Sequence, residues 1–147
     1  MGKSFKGRAI LPGQIEGEAL VTQAGFNTYA SFYTCMHTRA QAAECSDSGN
    51  PDLYQKIMSD KILCLPKTIG STSGGAVWQR VAEMGIAPKA MLFSQQIDSL
   101  AAGGLIVADV WLDKRIYTID RLGDAFLETV KEGDRIRIEE DGRVIIL

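Results

Sequence analysis

The sequence predicts a mixed α/β fold with a partly parallel central sheet, and three observations lead there. Short apolar runs in the middle of the chain alternate with segments whose apolar residues recur at helical spacing, the signature of strand–helix–strand units. Both ends carry strand-like stretches interrupted by the turn dipeptides Pro12-Gly13 and Asp141-Gly142. The 147 residues are enough to bury a core and suit one domain. Residues 1–147 are therefore read as a single domain, with no repeat, linker or low-complexity tail.

In chain order, residues 5–10 and 17–22 are predicted as two strands joined at Leu11-Pro12-Gly13, an N-terminal hairpin. Gln23 to Ser48 has weak periodicity and begins with an aromatic and hydroxyl-rich patch from Phe26 to Thr34, so it reads as a long irregular functional loop. Asn50-Pro51-Asp52 starts a short helix over Leu53–Met58. Lys61–Leu65 is a buried strand ended by Pro66. Ala76, Val77, Val81, Ala82 and Met84 recur at helical spacing, and Gly85 stops that helix. Ala87-Pro88 introduces a strand over Lys89–Ser94. Asp98–Ala102 is a short helix or turn, and Gly104–Ala108 a further strand. An amphipathic helix over Asp120–Val130 presents Leu122, Phe126 and Leu127 to the core and ends at Gly133. Asp134–Glu139 and Arg143–Leu147 form a hairpin around Asp141-Gly142, a dipeptide suited to a type I′ turn.

Sixteen basic and 18 acidic residues leave a net charge of -2. That excludes a generally basic nucleic-acid binder and gives no reason to expect an anionic membrane surface as partner. No apolar run approaches the ~20 residues of a membrane helix, and Lys6, Gly7 and Arg8 interrupt what would be a signal core. The 3 cysteines, Cys35, Cys45 and Cys64, are an odd number without a C-x-x-C pair, so no disulfide framework is expected. Together these features predict a cytoplasmic protein. Cys64 sits in an apolar run as a small buried hydrophobe. A metal site from Cys35, Cys45 and the one histidine, His37, is disfavoured, because zinc and iron sites show tighter paired spacing. No metal is assigned to this chain.

The segment with the clearest chemistry is Gly70-Ser71-Thr72-Ser73-Gly74-Gly75, between the strand ending at Leu65 and the helix that begins near Ala76. The free N–H groups and dipole of a helix's first turn bind anions, and glycines let a ligand approach the backbone. The hydroxyls add donors and a proton-transfer group, so a carboxylate or phosphate fits. The same residues also fit a plain N-cap and turn, and the residues alone leave both readings open. The loop is neither a Walker A motif nor G-x-G-x-x-G. With a single histidine and no nucleophile elbow, no Ser/His/Asp triad is assigned. Glu139-Glu140-Asp141 reads as a solvated turn, and Trp78 and Trp111 as core or interface residues. Arg39, Arg80, Arg115 and Arg121 are each candidates to clamp a carboxylate.

The order of these motifs resembles a known family. It runs from Gly7-Arg8-Ala9 and Gly17-Glu18-Ala19-Leu20-Val21, through Lys61–Pro66 and the Gly70–Gly74 loop, to Ala87-Pro88-Lys89-Ala90 and Ala101–Ala108. This is similar to the small subunit, or swivel domain, of the aconitase X family, with residues 61–109 the most specific part. The resemblance implies a swivelling β/β/α domain like the mobile domain of aconitase. It implies an aconitase X-type large subunit as partner, in a heterodimer or higher assembly, which holds an iron or iron–sulfur centre and most substrate contacts. This chain itself would bind no cofactor. The implied activity is a hydro-lyase reaction on a small hydroxy acid such as cis-3-hydroxy-L-proline or 5-phosphomevalonate. By the same resemblance Ser71 is the base that removes the proton α to a carboxylate. Gly70, Thr72, Ser73 and Gly74 would bind substrate or shape the loop, and Ser31, in a Ser-Phe pair of the N-terminal half, would also bind substrate. The chain departs from the family where Ser31-Phe32 is followed by Tyr33-Thr34-Cys35 in place of Trp-Gly-Gly. It departs from aconitase where Ser73 replaces an arginine.

Two other functional classes compete with this one. A stand-alone regulatory domain would use the loop to grip a phosphate or carboxylate without chemistry. A phosphohistidine carrier is argued against by the position of His37, outside the loop.

Overall fold

A computed structural model describes residues 2–147. Its elements run β1 (Lys3–Lys6), β2 (Arg8–Leu11), β3 (Ile15–Val21), β4 (Phe26–Asn27), α1 (Thr28–His37), β5 (Ile62–Leu65), β6 (Thr68–Ile69), α2 (Gly74–Met84), β7 (Ala90–Phe93), α3 (Ser99–Leu112), β8 (Tyr117–Asp120), α4 (Asp124–Thr129), β9 (Arg135–Ile138) and β10 (Arg143–Ile146). This is a mixed α/β fold. One sheet has the strand order β1-β10-β9-β3-β5-β7-β8-β2, and β4 and β6 form a small second sheet. The middle strands β3, β5, β7 and β8 are parallel, and those outside them pair antiparallel.

The parallel centre follows from its residues. A strand covered on both faces reads as an unbroken apolar run. In β5, Leu63 and Leu65 face the core shared with α1, α2 and α3, while Ile62 and Cys64 face the second core, which holds Phe126 of α4 and the β9–β10 hairpin. Met91 and Phe93 of β7 lie on the first side, Ala90 and Leu92 on the second.

The N-terminal hairpin does not form. β1 pairs with β10, β2 pairs with β8, and only Gly7 separates β1 from β2. One chain segment thus supplies both edge strands of the eight-stranded sheet, β1 at one side and β2 at the other. Arg8 locks the β2–β8 pair. Its Nε and Nη2 donate to Oδ1 and Oδ2 of Asp120 at 2.9 and 2.8 Å, and the backbone N–H of Ile97 donates to the same buried carboxylate at 2.8 Å.

Other predicted elements also change. The stretch expected as a loop over Gln23–Ser48 contains β4 and α1. The buried residues of α1, Thr28, Ser31, Phe32 and Cys35, do follow helical spacing, but half are hydroxyl residues and masked it. Leu53–Met58 is not helical. Asn50 Oδ1 accepts from the N–H groups of Asp52 and Leu53, and Gln55 takes a positive φ of 67°, so the chain turns locally instead. Asp98–Ala102 and Gly104–Ala108 are one helix, α3, and the third central strand is β8. An apolar run of this kind fits either state by periodicity alone. The helix expected from Asp120 starts at Asp124, after Gly123 at φ 92°.

Helices α2 and α3 touch backbone to backbone. A Cβ on Gly104 would lie 2.2 Å from the Gly75 carbonyl oxygen, and one on Gly75 would lie 2.8 Å from the Leu100 carbonyl oxygen. Backbone cannot swing aside as a side chain can. Gly104→Ala is therefore expected to destabilise the fold by about 1–3 kcal/mol, the cost of overpacking a well-filled core. Urea unfolding measures this, and an unchanged midpoint would refute the close approach.

Candidate active site

Three helices begin at the end of the sheet where the parallel strands β3, β5 and β7 finish. Chain leaves β3 for β4 and α1, β5 for β6 and α2, and β7 for α3. Ligands in open α/β sheets bind at this edge. Between the helix starts lies a cleft of about 220 Å³. Ser71, Gly70 and Gly74 form one wall, Thr68 and Asp98 another, and Trp78 and Thr28 the floor.

Two of the three helices are capped by their own side chains. Asn27 Oδ1 accepts from Ala30 N–H at 3.1 Å on α1, and Asp98 Oδ2 accepts from Ala101 N–H at 2.9 Å on α3. Asp98 Oδ1 also accepts from the Thr68 hydroxyl, which ties the start of α3 to β6. Helix α2 differs, since its cap residue Ser73 makes no side-chain cap bond. Ser71, Thr72 and Ser73 ahead of it are exposed while Gly74 and Gly75 are half-buried, and its dipole favours negative charge there. Ser73 directs its groups to Ser71 instead. Its N–H donates to Ser71 Oγ at 3.2 Å, and the two hydroxyl oxygens are hydrogen-bonded at 2.9 Å. The side chain of Ser73 is thus not the cap of α2, and Ser71 takes up one N–H ahead of the helix as a capping serine does.

Gly70 holds the turn in place. Its φ of 101° is left-handed, and a Cβ there would lie 2.8 Å from Asn27 Oδ1. A side chain at this position would strain the backbone and push on the cap of α1 together.

The residues singled out by sequence separate into two groups. Gly70, Ser71, Thr72, Ser73 and Gly74 lie together in the turn, and Ser71 is exposed. Ser31 is elsewhere. It lies on the inner face of α1, fully buried, with its Oγ unpartnered, and it does not line the cleft. The expectation of a substrate contact at Ser31 is corrected accordingly: its spacing with Phe32 and Cys35 puts it in the core. None of the four arginines lines the cleft. Arg115 is engaged by Asp109 at 2.8 and 2.9 Å, Arg121 by Gln96 at 2.9 Å, and Arg39 and Arg80 border a separate hollow. Sequence reading missed Asn27, Thr68 and Asp98. The pattern Asp98-Ser99-Leu100 carried the signal, an N-cap residue directly before an apolar helix.

Among the described residues no three His, Cys, Asp or Glu side chains converge as a metal site. His37 is exposed and stacks on Tyr33, with Nδ1 2.8 Å from that residue's carbonyl oxygen. Cys35, Cys45 and Cys64 are free and buried. Burial pushes all three thiols up from the ordinary cysteine range. Among the described residues no helix is long and apolar enough to cross a membrane.

The profile of the aconitase X swivel domain matches residues 4–147. The phosphomevalonate dehydratase small subunit of Archaeoglobus fulgidus is 31% identical over 93% of this chain and 92% of its own. That of Aeropyrum pernix is 27% identical over 97% and 92%. The cis-3-hydroxy-L-proline dehydratase of Hypocrea jecorina is 28% identical over 73% of this chain but only 17% of its own length. Among solved structures, the crystal structure of Thermococcus kodakaraensis aconitase X in its holo-form contains a chain with a TM-score of 0.82 and 25% identity. The match covers 99% of this chain and 98% of that one.

The thiol chemistry is directly measurable. A thiolate is the reactive form and burial opposes it. At pH 8 the native protein should therefore leave all 3 cysteines unlabelled by an aromatic disulfide reagent over minutes, and release all 3 on unfolding. Rapid native labelling would show that these side chains are open to solvent.

Proposed function

The chain belongs to the aconitase X swivel-domain family, and on that premise we propose that it is the small subunit of a dehydratase whose active site forms between the Ser71 turn and a large subunit. The relatives' shared name supports a dehydratase small subunit. The observation that carries the finer reading is the exposed Ser71–Ser73 turn at the start of α2, with Ser71 Oγ at its mouth and no cap bond from Ser73.

Dehydration of a hydroxy acid removes the proton α to the carboxylate and the hydroxyl one carbon further on. In this reading Ser71 takes the proton. A neutral serine hydroxyl is a weak base, so the oxygen must first release its own proton to solvent and become an alkoxide before it takes the substrate's, and the turn is arranged to hold one. The Ser73 N–H already points at Ser71 Oγ, the Ser73 hydroxyl is within hydrogen-bond reach, and the positive end of the α2 dipole lies beneath both. Thr72 and the remaining N–H groups of the turn would meet the substrate's acid group.

The cleft is chemically incomplete. Among the described residues Asp98 is the one charged side chain that lines it, and no cation does. The positive charge needed beside an alkoxide and a bound acid therefore comes from the partner. Among the described residues no cluster of His, Cys, Asp or Glu fits an iron site, so the centre that the resemblance implies is assigned to the large subunit. Departure of the hydroxyl is assigned to the large subunit as well. Phosphomevalonate is the preferred substrate because the matches to its dehydratase cover nearly the whole of both chains, whereas the hydroxyproline enzyme matches over less of this one. A cytoplasmic site for the complex agrees with three free thiols.

Ser71→Ala tests the assignment in the complex with the large subunit. We expect kcat to fall by about 10²–10⁴-fold, the usual loss of a general base, with affinity for the large subunit unchanged. A near-normal kcat would remove Ser71 from the chemistry. A second reading, an anion-binding domain without catalysis, also draws on the exposed Ser71–Ser73 turn. It predicts tight phosphate binding by the isolated chain and no association with a large subunit.

A further inference from the structure

Helix α3 is apolar on its outer face as well as its inner one, yet it is not enclosed. A helix of that kind is normally buried all round. At about 100° per residue, Ala101, Gly104, Leu105 and Ala108 point inward and are buried. Leu100, Ile106, Val110 and Trp111 lie on the opposite arc, which spans roughly 140°, and are 46%, 42%, 68% and 81% exposed. Gly103 and Val107 fill the space between them, and this arc holds no charged residue. The helix's one charge, Asp109, lies off the arc and is held by Arg115. Isolated surface apolar residues are ordinary, but a continuous stripe ending in an almost fully exposed tryptophan marks an interaction surface.

The stripe is continuous with the cleft. Leu100 belongs to both, forming part of the cleft wall and the first residue of the stripe. Across the cleft Ile69 is also exposed, at the other lip. A partner that closes the cleft over Ser71 must therefore meet the start of this face.

We propose that the outer face of α3, from Leu100 to Trp111, is the docking surface for the large subunit, with Val110 and Trp111 as its anchor. The inference rests on the small-subunit reading and adds the surface that this reading leaves unassigned. Trp and neighbouring apolar side chains supply most of the energy in such interfaces, while surrounding contacts keep water out. The docking face also places the α2 turn, because α3 meets α2 at Gly75 and Gly104. Engagement of α3 thus orients Ser71 without any contact to Ser71 itself.

The test measures affinity of Val110→Asp and Trp111→Ser for the large subunit encoded in the same genome, by titration in solution. Ser71→Ala runs beside them, and circular dichroism checks that each variant is folded. Both replaced residues are exposed, so the fold should survive. We expect each α3 variant to weaken association by at least about thirtyfold, the loss typical of an interface anchor, with Ser71→Ala binding normally. If wild type and α3 variants bind the large subunit equally, the docking assignment is wrong and the subunit reading stands. If the wild-type chain binds no large subunit, both fall. If the variants instead split a self-associated form of this chain and leave large-subunit binding intact, the face serves a second copy, and the proposal is overturned.

Discussion

The backbone contact between Gly75 and Gly104 governs the site. Two helices can approach this closely only where neither carries a Cβ at the crossing. Because the crossing lies near the starts of both helices, it brings those starts to one place. Asn27 against Gly70 then sets the third helix start beside them. The three N-termini thereby divide their roles. Asn27 caps α1 and Asp98 caps α3, both from within the chain. The start of α2 has only the Ser71–Ser73 contact, and in the proposed reading it serves an activated serine and the acid group of a substrate.

Much of the fold is legible in the residue pattern, and the failures have particular causes. The strand at Ile62–Leu65, the helix ending at Gly85, the strand at Ala90–Phe93 and the C-terminal hairpin all carry local signals that tertiary structure does not override. The N-terminal hairpin fails because the turn signal at Pro12-Gly13 is local, whereas the partners of residues 3–11 lie more than a hundred residues away in β8 and β10. The Gly104–Ala108 run looks like a strand because an apolar segment with an exposed apolar face on one side and a core on the other shows no periodicity. In the proposed reading that ambiguity has the same origin as the docking face: α3 is apolar outward as well as inward.

The site shows the same split. The turn from Gly70 to Gly74 stands out because glycines and hydroxyls cluster between a strand and a helix, a pattern that fits a helix cap as well as a ligand site. Ser31 misleads because sequence neighbours say nothing about which side of a helix a residue takes. Asp98 reads in the sequence as a helix cap at most, and only the fold shows its carboxylate facing the serine turn across a small cleft. The single acid and the lack of a cation in that cleft explain why a chain with a well-packed core is, in the proposed reading, half of a catalyst.

The proposed chemistry requires the open turn of α2 to meet the reacting carbon. The most direct measurement is a structure of this chain with its large subunit and bound 5-phosphomevalonate. Ser71 Oγ is then expected within about 3–3.5 Å of the proton-bearing carbon, the spacing of a reactive encounter, with the carboxylate against the N–H groups of the turn. A substrate seated wholly on the large subunit, with Ser71 facing solvent away from it, would contradict the proposal.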